Sequence, residues 1–340
     1  MKKLISLLLF AVTIITTCVF SGCGLFDTVP TTYDNADKYT AGNAEFEGKV
    51  DSFTIWWIAG KVTVRTHKEN TVKIEETANR ELDTNFSLHY RYFNASDYGD
   101  ILYIHYSASG NFDFGDLKKD ITVYLPENDG MDVTVRTDSA EVDLDLSQFE
   151  NTLEEITVLN NSGKVSVKID SADSVRISGA NDDNAKDGNV YFFRANGVVY
   201  DLGISASYAK IDAAAKEVRN CDVGTVFEDL VFYAEKGRRL KLSNSAGVID
   251  ATVLDFETMD VETLDNRCDL LLSPDASFQL TLKDKDRFNH ATVAKEVTVG
   301  FENLVKEGNV YTVGDGKKTV TVATDHNLNV MPYVMDDTES

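Results

Sequence analysis

Residues Met131 to Asp170, MDVTVRTDSAEVDLDLSQFENTLEEITVLNNSGKVSVKID, state one pattern twice. An alternating triplet, Val133-Thr-Val135 and then Ile156-Thr-Val158, leads into a polar corner, Thr137-Asp-Ser-Ala140 and then Asn160-Asn-Ser-Gly163. A second alternating run follows each corner: Val142-Asp-Leu144-Asp-Leu146 and Val165-Ser-Val167-Lys-Ile169. Period-two alternation puts every second side chain on one face, the mark of half-buried strands. Gly permits positive φ, and Asn and Ser bond their own backbone, so these corners suit turns. The two copies read as successive rungs of a stacked β-structure.

Outward from this stretch the triplet recurs at Val175, Val198, Val218, Leu240, Met259 and Phe278, and the last three begin 19 residues apart (259 − 240 and 278 − 259). Such a repeat suggests units that bury their apolar faces only against neighbours. The corner returns as Asn244-Ser-Ala-Gly247 and, degenerately, as Asp265-Asn-Arg-Cys268. The expectation is an all-β chain: a single-stack β-solenoid or β-roll with N-terminal antiparallel strands and a C-terminal hairpin cap, the alternative being two β-sandwich domains. The repeat body is expected over residues 127–283. Before it, residues 46–126 read as a meander in which Ala59-Gly60 is a hairpin corner between Phe53–Ile58 and Lys61–Val64. After it, residues 284–340 form a cap and tail, with Gly314-Asp-Gly316 as a hairpin turn onto Thr319–Val322.

The N-terminus carries an address. Lys2-Lys3 precede an almost wholly apolar run from Leu4 to Phe20, as in a secretory signal. Phe20-Ser-Gly-Cys23 resembles the bacterial lipobox, which makes residues 1–22 a lipoprotein signal peptide, Cys23 the lipidation site and the membrane a partner through that lipid. Residues 23–45 are polar and aperiodic and read as a flexible tether. The expected location is outside the cytoplasm, lipid-anchored to the outer face of the cytoplasmic membrane or to the outer membrane. Cys221 and Cys268, about two rungs apart, are expected to be unpaired.

The 340 residues carry 33 Lys+Arg against 56 Asp+Glu, a formal charge of −23, which repels phosphate polyanions and argues against nucleic acid as a partner. No nucleophile elbow, zinc spacing, phosphate loop or dinucleotide fingerprint is present, so the chain reads as a non-enzyme without a cofactor. Binding candidates are Asp182, Asp183 and Asp187, whose oxygens could offer a Ca²⁺ site, and Trp57. Because Trp56 and Trp57 are neighbours in a strand, one faces the core and the other caps the first rung or forms an exposed platform. His89 and His105 lie on adjacent expected strands and could face each other. Asp143, Asp145 and Asp170 occupy outward positions, where alternation requires polar residues in any case.

The lipobox near Cys23, the strand Ile121-Thr-Val-Tyr-Leu-Pro126, corners such as Asn161-Ser-Gly-Lys-Val165, and the ending Tyr311-Thr-Val-Gly-Asp-Gly316 with Thr319-Val-Thr-Val322 together resemble the bacterial putative-adhesin family, a domain of unknown function likened to auto-transporter adhesin heads. The likeness spans roughly residues 50–325. It implies a β-solenoid displayed at the cell envelope and carries no catalytic residues. The functional expectation is therefore non-catalytic binding or adhesion to an envelope polymer, surface protein or other extracellular partner. The alternatives are a structural or sensory envelope module acting through a membrane protein, and a carbohydrate-active enzyme on a β-helix scaffold.

Overall fold

The computed structural model describes residues 29–127, 130–149, 151–179, 189–286 and 291–334. The described chain is all-β apart from a single 3-10 turn, Ala36–Lys38. In chain order the strands are β1 (Thr40–Ala41), β2 (Ala44–Glu47), β3 (Ser52–His67), β4 (Thr71–Ala78), β5 (His89–Ala95), β6 (Gly99–His105), β7 (Lys119–Pro126) and β8 (Asp132–Leu146). Next come β9 (Leu153–Asn160), β10 (Val165–Ile169), β11 (Ala172–Gly179), β12 (Val190–Ala206), β13 (Lys210–Thr225), β14 (Leu230–Asn244) and β15 (Ile249–Thr263). The last are β16 (Cys268–Leu272), β17 (Phe278–Leu282), β18 (Val297–Val299), β19 (Val305–Glu307), β20 (Val310–Val313), β21 (Lys318–Thr324) and β22 (Leu328–Pro332).

The central strands stack in parallel, coil upon coil. Val133 lies opposite Ile156, Ile156 opposite Val175, and Val175 opposite Leu202. Leu202, Cys221, Leu240 and Met259 then continue the column at offsets of 19 residues. All of these side chains belong to one buried cluster rather than to two, which disposes of the two-sandwich alternative. Alternation explains why: Val133 and Val135 point inward and are fully buried, whereas Thr134 and Arg136, which alternate with them, are not.

Each coil has two strand runs joined by two kinds of corner. At one, inward residues step by three instead of two, as at Ala215, Val218 and Cys221, so pairs such as Lys216-Glu217 and Arg219-Asn220 wrap the outside of a bend. The other corner is lined by a buried polar column: Thr137, Asn160, Thr225, Asn244, Thr263 and Thr324. Asn160 donates to Thr137 Oγ1 and to the Ala140 carbonyl, both at 2.8 Å. The Asn244 amide donates to the Glu228 carbonyl at 2.7 Å, while its Oδ1 accepts from Gly247 N at 2.8 Å. Backbone groups that leave the ladder at a corner still need partners, and Asn and Thr supply them.

Ala59-Gly60 is not a hairpin. Strand β3 runs through it and pairs in parallel with β8 on one edge and with β6 and then β7 on the other. Gly60, at φ +108°, turns the chain from one face of the stack to the next, and a Cβ there would meet the Lys119 carbonyl oxygen at 2.1 Å. With parallel partners on both edges, folding β3 back on itself would forfeit two ladders for one. The antiparallel strands sit farther out: β5 on β6, β4 on β7, then β1 on β5 and β2 on β4.

The C-terminal end also differs from expectation. Phe278–Leu280 does not stack on Met259–Val261, because β21 lies between them, with Met259 and Leu280 on either side of Val320. On the other face β22 is likewise held between β16 and β18. Gly314-Asp-Gly316 is therefore no hairpin turn; it carries the chain across β17, whose two edges pair with β20 and β21. The Ser277 hydroxyl pins that crossing, accepting from Asp315 N at 2.8 Å and Gly316 N at 3.1 Å. The hairpin is instead β19–β20, turning at Gly308.

Part of the expected tether is docked. Tyr33 exchanges backbone hydrogen bonds with the Ser109 hydroxyl and donates its own hydroxyl to the Ser107 carbonyl at 3.0 Å. Val29 N donates to Asp138 at 2.9 Å. Stacking of Tyr33, which no periodicity announces, holds this segment to the flank. Cys221 and Cys268 are both buried free thiols, and burial pushes both well above the usual thiol range.

Candidate binding site at the N-terminal end

The outermost N-terminal strands close the stack with aromatic residues. In β5, alternation sends Tyr90 and Tyr92 to one side and Arg91 and Phe93 to the other. Thr40 of β1 lies opposite Tyr90. Phe46 of β2 meets both tyrosines, nearly parallel to the Tyr90 ring (6.0 Å, 9°) and tilted to that of Tyr92 (4.7 Å, 38°). All three rings are half-buried and pack on the end of the core. Their outer edges, with Lys38, Thr40, Glu47 and Arg91, line a shallow cleft of about 290 Å³. Tyr92 donates its hydroxyl to the Lys49 carbonyl at 3.0 Å, which fixes one rim. The Arg91 guanidinium lies 4.0 Å from the centre of the Phe93 ring.

A second aromatic layer lies beside the cleft. His105 is sandwiched between Trp56 (4.4 Å, 6°) and Tyr33 (3.7 Å, 13°), with Tyr39 edge-on at 5.3 Å. His105 is 4% exposed, and its Nδ1 has no hydrogen-bond partner among the described residues. Burial, followed by the neighbouring His89, holds its pKa down at about 4. His89 and His105 do face each other across β5 and β6. His89 Nδ1 is taken up by the Ser87 carbonyl at 3.0 Å, so the pair is built into the sheet.

Trp57 is not a platform. It is fully buried, and its indole N–H donates to the Lys119 carbonyl at 2.8 Å. Alternation from Phe53 and Ile55 points Trp57 inward, and Trp56 takes the outer, half-buried position. Beneath Trp57 lies a feature the sequence did not announce: Lys119, with 0% exposure, forms an ion pair with Glu76 at 2.6 Å. Its Nζ also donates to the Phe86 carbonyl at 2.7 Å and to the Tyr106 carbonyl, and it lies over the Tyr106 ring at 4.2 Å. Glu76 in turn accepts from Leu88 N, tying β4 to the start of β5. Burial lowers the Lys119 pKa to about 8 against the opposing pull of Glu76.

The outward carboxylates do not converge. Asp143 pairs with Arg65 at 2.5 Å, Asp145 accepts from Ser147 at 2.7 Å, and Asp170 accepts from Ser171 at 3.1 Å. Farther along, cations and acids match across coils, as in Arg194–Asp212 (2.8 Å), Lys241–Asp222 (2.7 Å) and Arg238–Glu257 (3.0 Å). Among the described residues no group of three or more His, Cys, Asp or Glu is placed to hold a metal ion. No helix among them is long and apolar enough to cross a membrane. Cys23, Asp182, Asp183 and Asp187 lie outside the described residues.

The alternation of Tyr90 and Tyr92 was visible in the sequence. Their meeting with Phe46, Lys38 and Thr40 was not, because it joins an aperiodic segment to a strand some fifty residues later.

No family model matches the chain, and no curated protein matches it. Two solved structures are similar over most of their length. One is described as a putative cell adhesion protein from Clostridium sporogenes ATCC 15579, with 13% identity, 87% of this chain and 100% of that chain covered, and a TM-score of 0.31. The other is described as a putative adhesin from Bacteroides fragilis NCTC 9343, with 10% identity, 86% and 97% covered, and a TM-score of 0.32.

Proposed function

We propose that this chain is a cell-envelope lipoprotein that binds an envelope or extracellular partner without catalysis, through the aromatic cleft at the N-terminal end of its stack. The observation that carries this reading is the cleft itself: three partly open rings, Phe46, Tyr90 and Tyr92, beside charged and hydroxyl groups in one concavity. Concave sites of this make-up, apolar walls with a few polar groups, are where proteins hold ligands.

The lipobox-like segment supports attachment at Cys23. Val29 follows six residues on and is bound to Asp138, and that length of chain reaches at most about 20 Å when extended. A lipid on Cys23 would thus keep this flank near the bilayer, within reach of polymers attached there. Purified protein should sediment with isolated envelope polymer, and Tyr90→Ala should lose at least tenfold in affinity while its thermal midpoint is recorded alongside. Unchanged retention by a folded Tyr90→Ala protein would refute the cleft as the site.

A further inference from the structure

We infer that the polar corner of the stack carries a docking point for an arginine side chain of a partner protein, seated over Ala246 between Phe227 and Asp265. Two observations carry it. The first is an aromatic column that stops short. Backbone hydrogen bonds from Phe227 N to the Ser207 carbonyl (3.1 Å), from Ala246 N to the Val226 carbonyl (2.8 Å) and from Asp265 N to the Ser245 carbonyl (3.0 Å) put successive corners in one register. Tyr208, Phe227, Ala246 and Asp265 therefore follow one another at offsets of 19 residues (227 − 208, 246 − 227 and 265 − 246). The Tyr208 and Phe227 rings are stacked, 4.5 Å apart at 16°. Stacking along the column turns the other face of Phe227 toward the next coil, where Ala246 has only a methyl group. Phe227 is 50% exposed. With coils about 4.8 Å apart, a flat group lying over Ala246 is at stacking distance from Phe227 and one coil from Asp265.

The second observation is an arrangement that the chain completes elsewhere with its own residues. The Arg194 guanidinium lies 3.9 Å from the centre of the Phe192 ring and pairs with Asp212 at 2.8 Å. Tyr200, another exposed ring, is covered by Arg219 at 4.2 Å. Phe227 has no such cation over it among the described residues. The carboxylates of Asp265 and of Glu228, which follows Phe227, form no ion pair among them either, whereas Asp212, Asp222 and Glu257 on the coils each do. Ring and carboxylate are thus in place, and a guanidinium from a partner completes the set. A guanidinium is flat enough to stack on a ring face, and its N–H fork suits a carboxylate. An ammonium group lacks the flat face. On a chain of formal charge −23 a basic partner is drawn to the whole flank, and the step at Ala246 selects which side chain is seated. The contact is separate from the N-terminal cleft.

The test uses the whole protein with methyl-labelled alanine and three probes: an end-blocked glycyl-arginyl-glycine peptide, and the same peptide with lysine or with citrulline, which is flat but uncharged, in place of arginine. In magnetic resonance titrations the arginine peptide should shift the Ala246 methyl signal saturably and bind about three- to fivefold more tightly than either analogue. Phe227→Ala and Asp265→Asn, both at exposed positions, should each remove that preference. Ala246→Tyr, which extends the ring column into the step, should abolish the binding while circular dichroism shows the fold retained. A lysine or citrulline peptide that binds as tightly as the arginine peptide, or no saturable shift at Ala246, would overturn the inference. So would undiminished binding by the folded Ala246→Tyr protein. Tyr90→Ala should leave the titration unchanged; if it removes the Ala246 response, the peptide is held at the N-terminal cleft and the corner site falls.

Discussion

At the residue scale, Lys119 and His105 show how this end of the molecule manages buried polar groups. Lys119 has no access to water, yet Glu76 and two backbone carbonyls surround its ammonium. Removing one member of such a pair strands the other charge, which typically costs about 3–5 kcal/mol. Lys119→Met should therefore lower unfolding stability by that order in urea titration, whereas Lys119→Met/Glu76→Leu should recover much of the loss. His105 has the opposite solution: it stays neutral. Its pKa falls from 6.5 in the unfolded chain to about 4 in the fold, so the folded state binds fewer protons. Above pH 6.5 this has no effect. Between pH 6.5 and 4 stability should fall by up to about 3 kcal/mol, at about 1.4 kcal/mol per pH unit. In His105→Phe, which keeps the three-ring stack, stability measured across that window should lose this slope.

At the scale of the element, the corners decide more than the strands. Alternating Val, Ile and Leu forbid a one-residue slip, which would turn the apolar face outward, but leave slips of two residues open. The Asn and Thr column removes that freedom, because Asn160, Thr225 and Asn244 bond backbone carbonyls at the preceding coil's corner, while Thr263 and Thr324 bond backbone at their own. Asn244→Ala would leave the Glu228 carbonyl and the Gly247 N–H without their partner and should cost about 1–3 kcal/mol in denaturant unfolding. Gly60 is a corner of another kind. A side chain there would be strained at φ +108° and blocked by Lys119, so Gly60→Val should disturb Trp57, seen as a change in near-ultraviolet circular dichroism. The sequence showed Gly60 as a turn residue, but whether a turn reverses the chain or only bends it depends on which strands wait on either side.

At the scale of the whole molecule, both ends are interleaved. Strand β3, early in the chain, lies inside the stack between β8 and the later β6 and β7. The last strands, β21 and β22, fill the layer between β15–β16 and β17–β18. The terminal segment is thus a keystone: a protein ending before Lys318 would expose the edges of β15, β16 and β17 at once. Exposed parallel edges template association. Such a truncation should be rapidly cleaved in limited proteolysis and form oligomers by light scattering, rather than merely lose a few kcal/mol.

The alternation from Val133 to Met259 was enough by itself to establish strands, an inward face and a 19-residue coil, because period-two patterning and a repeated offset are properties of neighbouring residues. It could not establish the order of layers at the two ends, where Val320 and not Phe278 lies on Met259, nor that Tyr33 would stack on His105. Those depend on which exposed ladder edge and which ring face remain open once the rest of the chain has packed. The cleft belongs to the same category: Phe46, Tyr90, Lys38 and Thr40 come together only when the first strands fold over the end of a core that the middle of the chain supplies.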